Sequence, residues 1–313
     1  MLVPIDMLTL RPNTAKAWIL LRELRAPFFT ASLVPAAFGI ALARWRTGAV
    51  DPVLAWLTLL GVLAVHAGAN TANDYFDHRS GNDEVNTRYL RPFTGGSRLI
   101  QEGLLAPREV LALSLACFLA GGVAAAIIVW IVGWPVLIPA ALGIFGGYAY
   151  TAPPLKLGYR GWGEPTIALA FGLLPVAGAY YVQTRALDAA VLLAALPLAL
   201  LVTAILFVNR FPDYLADKLV DKRHWVVRLG PRAARLPYAI LMTAWAPALV
   251  AGVFVQAIPP ASLLALLALF PCAAAIGIVW RHCENEPRLA PASLLTAVSH
   301  LLAGLLMILA LFL

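Results

Sequence analysis

The chain has 313 residues, 61% of them hydrophobic and 12% charged, with a formal net charge of +7. That is too apolar for a soluble domain and marks a membrane protein. Cys117, Cys272 and Cys283 are scattered and odd in number, which suggests buried filler rather than a disulfide framework or a metal site.

A hydrocarbon core of roughly 30 Å takes about 20 apolar residues as a helix. Nine runs approach that length, at approximately 27–44, 53–73, 110–131, 134–151, 165–183, 188–208, 237–257, 262–280 and 291–312. Lipid offers the backbone no hydrogen-bond partners, and the runs are too long and continuous for barrel strands, so helices are expected. The expected fold is an all-α membrane protein, a nine-transmembrane-helix bundle forming one domain over 1–313. Residues 1–26 form a mixed-polarity segment with Arg11, Lys16, Arg22 and Arg25, and it lacks the apolar core and cleavage site of a signal peptide.

With the N-terminus in the cytoplasm, all of the 23 Lys and Arg residues except Arg44, Arg46 and Arg185 fall on the cytoplasmic side. The positive charge thus follows membrane topology, not a nucleic-acid partner. Nine spans then put Leu313 outside. All of the 16 acidic residues except Asp51 and Asp188 share the cytoplasmic side, mostly in the loops at 74–109, 152–164 and 209–236.

Span 2 ends in NTANDYFDHRSGND at 70–83, where Asn70, Asn73, Asp74 and Asp77 follow the i, i+3, i+4, i+7 spacing of one helix face. Asp83 follows on the loop after Gly81. Span 6 ends in NRFPDYLADKLVDKRHWVVRLG at 209–230, with Asn209, Asp213 and Asp217 at four-residue steps and Pro212 placed to bend the helix between them. One acidic cluster at a helix end is ordinarily a solvated terminus. Here Asn-x-x-x-Asp occurs twice at equivalent depth, each time with cations after it.

Facing carboxylates at low effective dielectric repel and need a compensating cation. Oxygen ligands without interspersed His or Cys favour Mg²⁺, which keeps some waters and is completed by phosphates. A diphosphate bridged by Mg²⁺ to two acidic ladders is the expected species. Arg79 and Arg98 follow the first ladder, Lys156 and Arg160 lie after span 4, and Lys222 and Arg223 follow the second ladder, where the diphosphate needs them. Taken singly, each also satisfies the positive-inside rule. PFTGGSR at 92–98 is a glycine-containing loop suited to folding over an anion.

His66 and His300 lie inside spans without a carboxylate nearby in sequence and are read as packing or helix-to-helix hydrogen bonds. Gly143, Gly146 and Gly147 are read as close helix packing.

Two aspartate-rich motifs after spans 2 and 6 of such a bundle resemble the UbiA superfamily of intramembrane prenyltransferases over nearly the whole chain. NDYFDHRSGND at 73–83, PFTGGSRLIQEGLL at 92–105, GYRGWGE at 158–164 and DYLADKLVDKRHWVVRLG at 213–230 are similar to the MenA-like branch, the 1,4-dihydroxy-2-naphthoate polyprenyltransferases. The chain departs in two places. That branch usually has a basic residue just before the first Asp of the second motif, whereas Pro212 stands here and Arg210 follows Asn209. YTAPPLKL at 150–157 looks more like the loop of chlorophyll-synthase or homogentisate types.

The resemblance implies Mg²⁺-dependent prenyl transfer from a polyprenyl diphosphate to an aromatic acceptor, foremost 1,4-dihydroxy-2-naphthoate on the route to menaquinone. Homogentisate, 4-hydroxybenzoate and chlorophyllide types are the alternative acceptors. It implies Mg²⁺ on Asn73, Asp77, Asp83, Asn209, Asp213 and Asp217. Diphosphate stabilisation would fall to Lys156, Lys222, Arg223 and Arg98, and an acceptor-side role to Asp74. After the allylic cation attacks the ring, a proton or the carboxylate is lost. The expected setting is the plasma (inner) membrane, with membrane lipid around the bundle and the site at the cytoplasmic face. A transporter is the rival class, but spans 1, 3, 7, 8 and 9 carry no ionisable Asp, Glu, Lys or Arg in their interiors.

Overall fold

The computed structural model describes residues 12–313, with side-chain surroundings from Lys16 onward, so Arg11 and the rest of 1–11 lie outside the described residues. Helix α1 (Pro12–Glu23) turns at Arg25 through a 3-10 stretch, Ala26–Phe29, into α2 (Thr30–Thr47). Then come α3 (Pro52–Arg79), α4 (Asn82–Val85), α5 (Pro107–Val132) and α6 (Leu137–Ala149), the last preceded by a 3-10 turn. Helix α7 (Gly163–Ile167) runs through a π-helical stretch, Ala168–Leu173, into α8 (Leu174–Thr184). The long α9 (Ala189–Asn209) is followed by the short α10 (Tyr214–Leu219) and α11 (Trp225–Leu229) and then α12 (Pro231–Phe254). A 3-10 stretch at Pro260–Ala268 leads into α13 (Leu269–His282), and α14 (Ala290–Ala310) closes the chain.

All nine expected runs are helical, and among the described residues eight helices are long and apolar enough to cross a membrane. The ninth apolar helix, Trp134–Ala149, is shorter. Pro135 places the start of that run in a 3-10 turn, so fewer residues remain for the α-helix. The first span starts earlier than the apolar run, at Lys16, so part of the 1–26 segment belongs to the bundle.

Local chemistry explains the helix boundaries. Asp51 accepts from the amides of Val53 and Leu54 to cap α3, and Asp188 accepts from that of Val191 to cap α9. Pro52, Pro107 and Pro231 stand at first positions, where a missing N–H costs nothing. Helix α9 is apolar all round and is the most buried span, packed by α12, α14 and the α7–α8 helix. At Gly172 an added Cβ would come within 2.3 Å of Ala199 Cα, so the α7–α8 helix approaches α9 backbone to backbone. Outward-facing Trp130, Phe254 and Phe270 are 91%, 86% and 76% exposed, a surface suited to acyl chains and not to water. The chain is an integral membrane protein.

The two ends of the bundle differ. At one, Arg46 donates to Asp188 at 2.8 Å and to the Ala257 carbonyl at 3.3 Å, while the Asp51 amide donates to Gln183 at 2.7 Å. The other end gathers the acidic motifs.

Candidate active site

Helix α3 continues unbroken to Arg79, so Asn70, Asn73 and Asp77 stay in register on one face. Asn73 Nδ2 donates to Asp77 Oδ2 at 3.0 Å. Gly81, at φ 75°, turns the chain into α4, which carries the buried Asp83. The second ladder is not one helix. Pro212 has no N–H to continue α9, which ends at Asn209, and Asp213 opens α10, which carries Asp217.

Cross-links join the two motifs. Asn82 Nδ2 donates to Asp217 Oδ1 and Asn86 Nδ2 to Asp213 Oδ1, both at 2.8 Å. The Lys222 ammonium lies 3.1 Å from Asp77 Oδ2 and 3.5 Å from Asp217 Oδ1. Tyr159 donates its hydroxyl to Asp77 Oδ1 at 2.7 Å.

Between the motifs lies an open chamber of about 1130 Å³. Asn73, Asp77, Asp83, Asn209, Asp213 and Lys222 all line it. Asp217 stands behind the wall, 1% exposed, and meets Arg210 at 3.5 Å and His224 Nε2 at 2.8 Å as well as Lys222. A carboxylate only accepts, so His224 donates from Nε2, and its other nitrogen accepts from the Val227 amide.

Charges follow these contacts. Burial works against the Asp217 charge, but Lys222, the His224 hydrogen bond and Arg210 outweigh it and hold the carboxyl well below the usual range. Burial also opposes the Lys222 charge, yet Asp217 and Asp77 push its ammonium up. Asp83 is raised to about 8 by burial and by the nearby Asp77 and Asp74 charges. Asp213 is raised to about 7 by burial and by Asp217.

Asp74 does not line the chamber. One position along α3 from Asn73, it accepts from Arg25 Nη1 at 3.3 Å and from the Ser97 amide at 2.8 Å. The hydroxyl of Ser97 donates to the buried Glu23 at 2.5 Å. Asp74 is therefore a latch joining the start of the first span to the PFTGGSR loop. Gly96 sits against it at φ +69°, where a Cβ would approach Asp74 Oδ1 to 2.8 Å.

The expected cations are placed unequally. Lys222 lines the chamber. Arg98 donates to the Asp83 carbonyl and stacks on Tyr89, and Lys156 stacks on the Tyr159 ring that also carries Lys222. Arg79, Arg160 and Arg223 are exposed, and Arg223 pairs with Asp221 at 2.5 Å. Two other cations line the chamber: Arg25, and the buried Arg210, whose Nη2 donates to the Tyr150 hydroxyl. The visible signal for Arg210 is its place beside Asn209; Arg25 lies in the mixed-polarity segment ahead of the first apolar run, with no motif beside it.

Metal fit depends on the donor set. Among the described residues no three His, Cys, Asp or Glu side chains gather closely enough to hold an ion. Mg²⁺ does not need such a cage, because it keeps waters and takes one or two carboxylates plus substrate phosphates. Apart from its cations, its amide nitrogens and the His66 ring, the chamber offers oxygen donors, and Asn209 Oδ1 is buried without a hydrogen-bond partner. The residues fit Mg²⁺ on those terms.

A second, apolar groove of about 820 Å³ adjoins the chamber and shares His66, Ala69, Gly147 and Phe171 with it. Gly143 and Gly147 line this groove, and the Gly143 Cβ position would meet nothing closer than 4.0 Å, so it leaves room where close packing was expected. His300 is buried with Nε2 unpartnered, away from both cavities.

The family model described as the UbiA prenyltransferase family matches residues 32–298. The 2-carboxy-1,4-naphthoquinone phytyltransferase of Synechocystis sp. is 27% identical over 297 residues, covering 95% of this chain and 93% of that protein. The 1,4-dihydroxy-2-naphthoate octaprenyltransferase of Escherichia coli is 32% identical over 239 residues, 74% of each. A solved UbiA homologue from Archaeoglobus fulgidus, bound to DMAPP and Mg²⁺, shares the fold with TM-score 0.68 at 18% identity, covering 92% of this chain and 98% of that one.

Proposed function

The chain belongs to the UbiA prenyltransferase family, and from that premise we propose that it transfers a polyprenyl group from a polyprenyl diphosphate to 1,4-dihydroxy-2-naphthoate, on the route to menaquinone. The observation that carries this reading is the junction of a polar, acid-lined chamber with an apolar groove. A diphosphate with a long hydrocarbon tail has those two halves.

Asn73, Asp77, Asp83, Asn209 and Asp213 would hold Mg²⁺, and Asp217 fixes the cations around them. Bound there, Mg²⁺ supplies neutralisation of the charge that builds on the departing diphosphate. Lys222 and Arg210 donate to the same oxygens from fixed positions, and such preorganised donors are ordinarily the largest catalytic term. Lys156, over the Tyr159 ring, and Arg98, on the Asp83 carbonyl, add positive charge behind the chamber lining, and the exposed Arg79, Arg160 and Arg223 draw the anionic head towards it. Arg25, which lies over the Phe28 ring, offers a cation to an aromatic carboxylate. The groove holds the isoprenoid and keeps water from quenching the allylic cation.

The charge distribution supports a chamber on the cytoplasmic face. We further infer the plasma (inner) membrane as the setting and one domain of nine crossings, with Trp134–Ala149 as the short one. Purified protein incubated with Mg²⁺, geranylgeranyl diphosphate and a panel of aromatic acceptors tests the assignment by product mass. A prenylated naphthoquinol is expected. A product only with homogentisate or 4-hydroxybenzoate overturns the acceptor, and ligand flux in proteoliposomes without any prenylated product overturns the reaction.

A further inference from the structure

His66 is the one titratable side chain that lines the apolar groove among the described residues, and it also lines the polar chamber. The carboxylates of the chamber wall, Asp77, Asp83 and Asp213, belong to the two motifs and are not shared with the groove. In the proposed reaction the diphosphate occupies the chamber and the tail the groove. The allylic carbon that joins them, and the ring that attacks it, then meet where His66 stands.

The ring of His66 is held on several sides. It packs edge-on against Phe29 at 5.3 Å and against Phe171 at 4.7 Å. Phe171 lies in the π-helical stretch of the α7–α8 helix, an irregularity frequent at functional sites. Ser32 Oγ lies 2.8 Å from His66 Nδ1 and donates to the Phe29 carbonyl at 3.3 Å. A carbonyl only accepts and a hydroxyl has a single proton. In the tautomer where that proton goes to the carbonyl, Nδ1 carries the hydrogen it gives to Ser32, and Nε2 keeps its lone pair.

We propose that His66 is the base that takes the acceptor's hydroxyl proton as the ring attacks, an inference that rests on the prenyl-transfer reading above. The C1–O bond of the allylic diphosphate breaks, and its electron pair leaves on the diphosphate. A ring carbon ortho or para to the hydroxyl supplies the pair for the new C–C bond. The O–H pair becomes part of a carbonyl, and the proton passes to Nε2. For the naphthoate, CO₂ leaves the attacked carbon, the C–C electron pair restores the ring and the oxygen takes the proton back from Nε2; where a ring proton is lost instead, it passes to the departed diphosphate. Positioned bases of this kind contribute about 10²–10⁴-fold.

The test compares wild type with His66→Gln and Ser32→Ala in detergent. It measures transfer to 1,4-dihydroxy-2-naphthoate, transfer to a ring-halogenated analogue with a more acidic hydroxyl, and acceptor-free hydrolysis of the diphosphate. In His66→Gln, transfer falls by about 10²-fold or more while hydrolysis is unchanged, and the loss shrinks with the halogenated acceptor. Ser32→Ala, which keeps the imidazole but frees its tautomer, shows a smaller loss with the same dependence on acceptor acidity, and it decides the matter if His66→Gln does not fold. Transfer within about threefold of wild type in the folded variants, or an equal loss for both acceptors and for hydrolysis, overturns the role of His66. Wild type making no prenylated product overturns the prenyl-transfer reading itself, which the variants do not address.

Discussion

The Lys222 ammonium stands 3.1 Å from the Asp77 carboxylate, 145 positions away in sequence, and joins the end of α3 to the chain beyond α10. Both groups are nearly enclosed, so each is the other's compensation. Removing one partner of a buried pair typically costs about 3–5 kcal/mol, because the remaining charge is stranded. Lys222→Met is expected to lower the thermal unfolding midpoint in detergent and to abolish transfer. Adding Asp217→Asn should restore part of the stability and none of the activity.

Asp213 and Asp217 lie four residues apart but face different surroundings. Asp213→Asn is expected to cut kcat/KM by about 10²–10³-fold with little change in folded protein, by loss of transition-state stabilisation. Asp217→Asn removes the anion between Arg210, Lys222 and His224, so its main effect should be a lower yield of folded protein. Fluorescence-detected size exclusion alongside steady-state kinetics separates the two. The same pattern in both variants would remove the distinction.

Gly96→Ala should disturb the latch. A Cβ there meets Asp74 and sits at positive φ, a combination costing roughly 1–3 kcal/mol. The expected result is a KM for the allylic diphosphate about tenfold higher with a smaller change in kcat, read from initial rates.

Protons should compete with the metal. Asp83 and Asp213, raised to about 8 and about 7, are partly protonated at neutral pH. Metal ligation needs the deprotonated form, so Mg²⁺ affinity rises with pH through this window and levels off above about 8. Titrations of Mg²⁺ activation between about pH 6 and 9 check the sign.

The exposed cations should act through their field. Arg79→Ala, Arg160→Ala and Arg223→Ala are each expected to raise KM by no more than about threefold, with the effect vanishing at high salt and kcat unchanged. Rates at two ionic strengths decide it. Arg210→Met, which removes a buried cation from the chamber, should cost about 10²-fold in kcat.

Much of this was legible in the sequence, for identifiable reasons. Apolar runs of membrane length left little choice but helices, and the helical period put Asn73 and Asp77 on one face correctly. That period cannot say which way the face points, and so Asp74, about 100° round the helix from Asn73, was grouped with them although it meets Arg25 and Ser97. Those partners come from other segments, which local spacing does not report. The same limit hid Arg25, whereas His66, read as packing or a helix-to-helix hydrogen bond, does meet Ser32 across α2 and α3. Pro212 announced a break after Asn209, but only the structure shows α10 turned so that Asp217 faces inward.

The ammonium between the two acidic motifs also separates folding from metal supply. In a protein whose acidic residues relied on a bound ion alone, chelation would leave like charges facing one another and loosen the architecture. Here Lys222, with Arg210 beside it, is a counter-ion built into the chain. Starved of divalent ions, the protein should fall silent and stay assembled, ready to resume when they return.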